Sequence, residues 1–443
     1  MHKIFTSFVL ISLFLLWAYK GIAETGIHVD LARDLNELSN LWVGKIVWLG
    51  PATSANFPTS PIYYYLLFPF LILTLGSGLS IIISHAFYAI LALGVFVFLN
   101  LKKSFIPTIL VILTIGLSPW WIKASSMPWN GHMYVSFVLL GLITLYFKTP
   151  LFLSSLFFGV AIAIDPAAIL AIPILFYEWV KNKNRIKHLT YLILGLLIPW
   201  MPIILFEIIT KGYLIRHWLE YPSLAELTFS PNIGNINLLL NTTGIPHALI
   251  YLSLLISIFM ASKREKYWII FISLPLIFLI LVSPLRQYYL LGLICSLTFI
   301  IATILSSKTA GRVILTIIIL LYIPIITIPA LDFTGRSIPR LEKVASSLKN
   351  NLDLEKKYAL VSVINPQNST PQADDYRFFL RMKGIKALNI DDYPKADYLL
   401  LFIETPNFDY KNFDDFHTQR FGDRKFISSQ SIDGIEVVKY GRK

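Results

Sequence analysis

Long apolar runs fill the first three quarters of this 443-residue chain. They recur from Ile4 to Ala330, and each is about 14–21 residues long, close to the length of a helix that crosses a bilayer. Apolar residues make up 56% of the chain and charged residues only 14%, which excludes an ordinary soluble globular protein. Because lipid offers no hydrogen bonds, each run must pair its own backbone groups, and a helix does this most simply. The sequence therefore predicts an α-helical polytopic membrane protein.

The net charge of +12 does not indicate a nucleic-acid partner, because of where the charge lies. Residues 1–330 hold 20 Lys and Arg against 10 Asp and Glu, whereas residues 331–443 hold 18 against 16. The excess is concentrated in short loops between apolar runs, where basic residues orient membrane helices. We expect membrane lipids, and no nucleic acid, among the partners.

The basic loops predict the orientation of the chain in a plasma (inner) membrane. Lys3 and the loops at Lys102–Lys103, Lys181–Lys187, Lys263–Lys266 and Lys308–Arg312 are expected to face the cytoplasm. One path satisfies them all, with about eleven transmembrane helices, a cytoplasmic N-terminus and an extracytoplasmic C-terminus. Its spans are residues 4–19, 79–99, 104–121, 132–147, 150–164, 167–180, 189–206, 246–261, 267–282, 287–305 and 313–329.

Three segments leave alternatives within this path. Tyr63–Leu75 is short for a span and is predicted as a helix that lies on the outer surface. Asp165-Pro166 interrupts residues 150–180, which we interpret as two short helices rather than one. The first apolar run has an alternative interpretation as a signal peptide, with Gly21-Ile22-Ala23 as its cleavage site.

Residues 331–443 are predicted to form a small α/β extracytoplasmic domain, after a transmembrane domain of residues 1–330 whose first outer loop is residues 20–78. The tail has no glycine-rich phosphate loop and no His/Cys set at metal-binding spacing, so we assign it no catalytic residue. Its hydrophobic patterning alternates between helix and strand periods. The predicted elements are helices at Arg340–Asn350 and Asp375–Lys383, strands at Tyr358–Ile364 and Ala396–Glu404, and a hairpin of Lys425–Ser431 and Ile435–Tyr440 around Asp433-Gly434.

Three charged residues, Asp30, Arg33 and Asp34, follow the first apolar run. Carboxylates beside a membrane surface in an otherwise apolar chain carry a desolvation cost, which favours a role in chemistry at this position. Asp34 lies one helical turn after Asp30, and Arg33 lies three residues after it. If this stretch is helical, all three side chains are within reach of one face.

Two further segments, Leu49-Gly50-Pro51 and the Ser60–Leu67 run, follow the charged group. Together with that group and Ala32, they resemble the first outer loop of the GT-C glycosyltransferases. This superfamily contains protein O-mannosyltransferases, lipid A aminoarabinose transferases and the catalytic subunits of oligosaccharyltransferases. The resemblance covers about residues 20–130 and is diffuse over the later helices.

The resemblance implies a GT-C-like fold and a membrane enzyme with hexosyltransferase-like activity. Such an enzyme moves a sugar from a polyprenyl-phosphate donor to a lipid-linked or protein acceptor on the outer face. The transfer needs a carboxylate to take the acceptor proton and cations to offset the leaving phosphate. Asp30 matches the first acid of the family pattern and is the expected general base. Asp34 is expected as a second catalytic acid, and Arg33 as a substrate-binding residue.

Four residues in later loops are further substrate-binding candidates. Asn130, in the second outer loop, is suited to hydrogen-bond a sugar hydroxyl or the acceptor. Asp165 is an acid at the membrane edge, although Asp-Pro is also ordinary turn chemistry. Arg286 suits phosphate recognition, with contact to lipid headgroups as the alternative, and Tyr288 lies in the same stretch.

Two positions depart from the family pattern and bear on metal dependence. Leu31 stands where many members carry a second acid, and Asn130 lies in a loop that is often acidic. An asparagine is a poor substitute for a charged metal ligand. No cofactor is therefore assigned, and a divalent metal is left open as the alternative that the resemblance offers.

Two other classes of function compete with a transferase. A transporter or lipid-glycan flippase tends to place polar groups near the bilayer midplane, often with repeat symmetry. This chain places its polar groups at one surface and has no apparent repeat. A non-catalytic membrane scaffold that presents the tail is the third class.

Overall fold

The chain folds into two compact units, as seen in a computed structural model. The residues that the structure describes are 2–53, 57–100, 104–182, 184–220, 228–229, 234–280, 282–283, 287–331, 335–364, 373–411 and 413–443. The first unit contains Met1–Gly21, Trp48–Leu66 and Ile82–Pro329. The second contains Ile22–Val47, Leu67–Ile81 and Ala330–Lys443.

Helices dominate the described part of the chain. The α-helices are α1 His2–Glu24, α2 Val29–Trp42, α3 Ile62–Leu73, α4 Ser80–Asn100, α5 Phe105–Gly116, α6 Pro119–Ser126, α7 Asn130–Tyr146, α8 Leu151–Ile164, α9 Pro173–Lys181, α10 Arg185–Leu197, α11 Met201–Ile209, α12 Tyr213–Glu220, α13 Gly234–Thr242, α14 His247–Met260, α15 Lys263–Ile280, α16 Leu291–Ser306, α17 Thr309–Tyr322, α18 Ile338–Lys349, α19 Asp374–Met382 and α20 Phe416–Phe421. Short 3₁₀ helices lie at Pro166–Ala171, Ile198–Trp200, Gln287–Leu290, Ile323–Ile325 and Ile390–Lys395. The strands are β1 Thr228–Phe229, β2 Val282–Ser283, β3 Lys357–Val363, β4 Lys386–Ala387, β5 Tyr398–Ile403, β6 Arg424–Ile432 and β7 Ile435–Arg442.

Each apolar segment that the sequence predicts as a span contains a helix, and the segment predicted to lie on the outer surface forms α3. Among the described residues, four helical stretches are long and apolar enough to cross a membrane, and α5 with α6 makes a fifth if that bent pair is one span. The four are His2–Glu24, Ser80–Asn100, Arg185–Ile209 and Gln287–Ser306. The total of eleven crossings and the side on which each end lies remain predictions.

Prolines divide several of the apolar runs. α5 and α6 meet at 69°, where Pro119 begins α6. Pro166 begins the 3₁₀ helix that separates α8 from α9, so the predicted division of residues 150–180 into two helices is confirmed. Proline has no backbone N–H and disfavours a helical conformation in the residue before it. These breaks leave polar backbone groups free to bind segments from elsewhere in the chain.

The C-terminal segment of the second unit forms a five-stranded sheet in the order β4-β3-β5-β7-β6. β3 runs parallel to β4 and β5, while β7 runs antiparallel to β5 and β6. Asp433 and Gly434 join the last two strands with φ angles of 54° and 77°, the left-handed backbone that a tight hairpin turn requires. All the elements predicted for the tail are confirmed. β4 and α20 are not predicted, because such short elements carry too little periodicity.

The second unit also includes two pieces of the segment that the sequence predicts as the first outer loop. α2 packs on α19, and the backbone N–H of Ile27 donates to the carbonyl of Arg336 at 2.7 Å. After α3, the backbone N–H of Gly78 donates to the Glu342 carboxylate at 2.8 Å. The tail sheet and the helix that carries the charged group therefore belong to one compact unit.

Candidate active site

Helix α2 carries the charged group that the sequence singles out. The helix begins after His28, whose Nδ1 accepts a hydrogen bond from the backbone N–H of Leu31 at 3.4 Å. Asp30 lies in the first turn, where the helix dipole stabilises a negative charge. One side of α2 is an apolar stripe at three- and four-residue spacing, and burying that stripe holds the helix in place. The stripe consists of Leu31, Leu35, Leu38 and Leu41.

Arg33 joins the two acids of this group. Its Nη1 donates to Oδ1 of Asp30 at 2.9 Å, and its Nε donates to Oδ1 of Asp34 at 2.9 Å. The predicted helical spacing of the three residues is confirmed. The side chain of Asp30 is 46% exposed, whereas that of Asp34 is 0% exposed. Of these two acids, only Asp30 is accessible from outside the protein, and Asp34 is placed to orient Arg33.

Glu37 is a further acid of α2 and is absent from the residues predicted to form the site. It lies seven residues after Asp30 and three after Asp34, so it follows them along the same side of the helix. Burial raises the pKa of the Glu37 carboxyl; a hydrogen bond from Asn40 at 3.2 Å opposes that rise, and the charge of Asp374 adds to it. The seven-residue spacing from Asp30 places Glu37 on this side of the helix and could have been read from the sequence. The burial of the Glu37 carboxyl depends on tertiary packing.

Arg381 of α19 contacts the C-terminal half of α2. Its Nη1 donates to Oγ of Ser39 at 2.9 Å and to Oδ1 of Asn40 at 3.1 Å. Burial lowers the pKa of the guanidinium to about 10, with the charge of Arg377 acting in the same direction. Arg381 therefore stays protonated at neutral pH. Sequence reasoning missed it, because nothing in the tail pattern distinguishes it from a surface arginine.

In the first unit, Gly50 and Pro51 pair with Thr59, the residue that directly precedes the Ser60–Leu67 run. The backbone N–H of Gly50 donates to the carbonyl of Thr59 at 2.8 Å, and that of Thr59 donates to Pro51 at 2.9 Å. Ser60 then reaches two proline-broken segments. Its N–H donates to the carbonyl of Ala163 at 3.0 Å, and its Oγ donates to the carbonyl of Pro199 at 2.7 Å.

Asp165 and Asn130 lie at the same end of α8. Oδ1 of Asp165 accepts a hydrogen bond from the N–H of Ala167 at 2.9 Å, which is the turn chemistry expected of Asp-Pro. Burial raises the pKa of the Asp165 carboxyl to about 6, although the Ala167 hydrogen bond opposes the rise. Nδ2 of Asn130 donates to the carbonyl of Ile164 at 3.4 Å. The structure thus brings these two predicted residues together.

Tyr288 lies near Asn130 and is linked to it through aromatic neighbours. Oη of Tyr134 donates to the Tyr288 carbonyl at 2.9 Å, and the N–H of Gly292 donates to Oη of Tyr134 at 3.0 Å. The ring of Trp129 lies 4.6 Å from that of Tyr288, nearly edge to face. Since Trp129 directly precedes Asn130, the aromatic pair links two predicted substrate-binding residues.

The predicted site residues thus form two groups, one in each unit. Asp30, Arg33 and Asp34 lie in the second unit, and Asn130, Asp165 and Tyr288 in the first. Arg286 lies outside the residues that the structure describes, so its phosphate-binding role remains a prediction. Within the described ranges, no group of three or more His, Cys, Asp or Glu side chains is placed to hold a metal ion.

No protein-family profile and no curated protein sequence matches this chain. Two crystal structures of ArnT from Cupriavidus metallidurans do match. The one bound to undecaprenyl phosphate has a TM-score of 0.63 and 10% identity, and covers 98% of this chain and 97% of that one. The apo structure has a TM-score of 0.65 and 10% identity, with 99% and 98% covered. The chain therefore has the fold of ArnT over nearly its whole length, which agrees with the fold that the resemblance of residues 20–130 implies.

Proposed function

We propose that this chain is a plasma-membrane glycosyltransferase that moves a sugar from a polyprenyl-phosphate donor to a lipid-linked or protein acceptor on the outer face. The observation that carries the proposal is the whole-chain likeness to ArnT, one of whose structures is bound to undecaprenyl phosphate. The exposed, ion-paired Asp30 supports it, because the expected base lies on a helix that orients its carboxylate.

In the proposed reaction, Asp30 takes the proton from the acceptor hydroxyl or amine. The acceptor atom forms a bond to the anomeric carbon while the bond from that carbon to the phosphate oxygen breaks. The phosphate leaves with the electron pair as polyprenyl phosphate. A single base favours direct displacement, and hence inversion at the anomeric carbon. Arg33 holds Asp30 through one ion pair, and Asp34 holds Arg33 through another.

Asn130, Asp165 and Tyr288 form the first-unit cluster, which is proposed to bind substrate. Asn130 offers an amide for a sugar hydroxyl, and Asp165 offers a buried carboxyl beside it. Tyr288 offers an aromatic ring that Trp129 supports. Arg286 is proposed to bind the donor phosphate, for which a planar guanidinium is well suited.

A transfer assay separates this function from its rivals. Purified protein is incubated with a radiolabelled polyprenyl-phosphate sugar and candidate acceptors, and free polyprenyl phosphate is measured. A transferase releases polyprenyl phosphate and labels the acceptor. A transporter or flippase moves the intact lipid between leaflets of a vesicle without releasing it, and a scaffold does neither. Intact donor after prolonged incubation with every acceptor class contradicts the proposal.

The outer-face assignment predicts a pattern of cysteine labelling. Lys45→Cys and Ser346→Cys, each in a Cys295→Ala background, are expected to react with an impermeant maleimide on intact cells, because both positions are exposed and predicted to be external. Lys263→Cys, exposed in a basic loop, is the matched control and should react only after permeabilisation. Cys295 is fully buried, so the unmodified chain should stay unlabelled. The reverse pattern would overturn the orientation.

A further inference from the structure

The C-terminal segment of the second unit contacts α2 near both ends of the helix. Near the N-terminal end, the N–H of Ile27 donates to the carbonyl of Arg336. The guanidinium of Arg336 is itself ion-paired with Asp375 and Glu404 of the tail. Toward the C-terminal end, Arg381 reaches the last turns of the helix. Two attachments fix the direction of the helix axis.

Arg381 also fixes the rotation of α2 about that axis. Its Nη1 donates to Oδ1 of Asn36 at 3.4 Å in addition to Ser39 and Asn40, so three residues on consecutive turns converge on one nitrogen. The other nitrogens of the guanidinium are anchored in the tail. Nε donates to the carbonyl of Ala387 at 2.9 Å, and Nη2 donates to Oδ1 of Asn389 at 2.8 Å.

This geometry depends on the fixed shape of the arginine guanidinium group. A guanidinium is planar and rigid, so holding the tail with two nitrogens fixes where the third points. α2 has only 14 residues, and an isolated helix of that length is marginal in water. Its shape and orientation therefore depend on what it packs against. The acids lie on the same short helix, and a rotation of α2 moves Asp30 with it.

We propose that Arg381 is a positioning residue for the site: through Asn36, Ser39 and Asn40 it sets the rotation of α2 and hence the direction in which Asp30 points. The inference rests on the proposed transfer reaction. It gives the C-terminal segment of the second unit a role in that reaction without a catalytic residue of its own.

The test uses full-length protein in lipid nanodiscs and three variants. Arg381→Met keeps much of the side-chain volume and removes the donors, and Arg381→Lys restores a single point charge. Arg340→Met is the matched control, since Arg340 is a largely buried arginine of the neighbouring α18 whose guanidinium bonds Gly335 and Asp433 rather than α2. Hydrogen exchange is followed over α2 and over β3 and β5. Turnover with a polyprenyl-phosphate sugar and binding of undecaprenyl phosphate are measured separately.

We expect Arg381→Met to speed exchange over α2 by about tenfold or more, because hydrogen bonds to a charged group are lost there. We expect kcat to fall up to about 100-fold, the scale of a misplaced catalytic group, with undecaprenyl phosphate affinity unchanged. Arg381→Lys should partly reverse both the faster exchange over α2 and the fall in kcat. Arg340→Met should leave α2 exchange and kcat at wild-type values.

Wild-type exchange over α2 in Arg381→Met, or faster exchange with a normal kcat, would overturn the positioning role. Equal loosening of α2 by Arg340→Met would do the same, because the effect would then be a general loss of tail stability. If the wild-type protein releases no polyprenyl phosphate at all, the proposed function fails. The exchange comparison then still decides whether Arg381 holds α2.

Discussion

Replacing Asp30 by asparagine is expected to remove most of the turnover while the protein stays folded. The substitution keeps the size of the side chain and removes the carboxylate that would take the acceptor proton. General bases contribute roughly 10²–10⁴-fold to rate, and a loss of that size is expected in kcat. The lost ion pair with Arg33 is partly exposed, so the stability cost is roughly 0–1 kcal/mol. Turnover and melting temperature of the purified protein check both halves of the prediction.

Asp34→Asn is the informative comparison, because we expect it to affect stability more than turnover. Its carboxylate is fully buried, so we expect it to orient Arg33 rather than to contact the acceptor, and its charge is more costly to remove than that of Asp30. We expect a larger fall in melting temperature and a smaller fall in kcat than for Asp30→Asn. If Asp30→Asn turns over at nearly the wild-type rate, Asp30 is not the base. Asp165 is then the next candidate, since it is an acid in the first-unit cluster.

Gly50→Ala is expected to disrupt the close packing of Gly50 against Ser60. A Cβ atom at Gly50 would lie 2.3 Å from the carbonyl oxygen of Ser60 and 2.7 Å from its carbonyl carbon. Backbone atoms cannot move aside as a flexible side chain does, so the paired segments must separate. Ser60 would then lose its bonds to Ala163 and Pro199. Overpacking costs about 1–3 kcal/mol or more, and we expect the upper end here, read as a lower melting temperature and a lower yield of monodisperse protein.

Gly94→Ala is the control for that experiment. Gly94 lies inside α4, and a Cβ atom there has nothing within 4 Å. Alanine favours a helix interior over glycine by about 0.5–1 kcal/mol, so the variant should be as stable as the parent or slightly more stable. A Gly50→Ala protein that melts with the parent would contradict the close packing of the two segments.

Patterns along the sequence were enough for the local structure. The spacing of Asp30, Arg33 and Asp34 predicted one helical face, and α2 has it. Asp433-Gly434 predicted a hairpin turn, and both residues adopt the required positive φ. These features depend on neighbouring residues alone, because helical periodicity, turn chemistry and apolar length are properties of a few consecutive positions.

The contacts that build the candidate site were decided by tertiary structure. Nothing in the sequence joins Arg381 to Ser39, which are 342 positions apart, or Ser60 to Pro199, which are 139 apart. The unequal exposure of Asp30 and Asp34 likewise depends on what packs against α2, since a helix presents both acids equally until one side is covered. The sequence by itself determined the membrane class, the helices and the acids. The packing of distant segments decided which acid stays accessible and which residues hold it, because burial and hydrogen-bond partners are set by approach in space rather than by order along the chain.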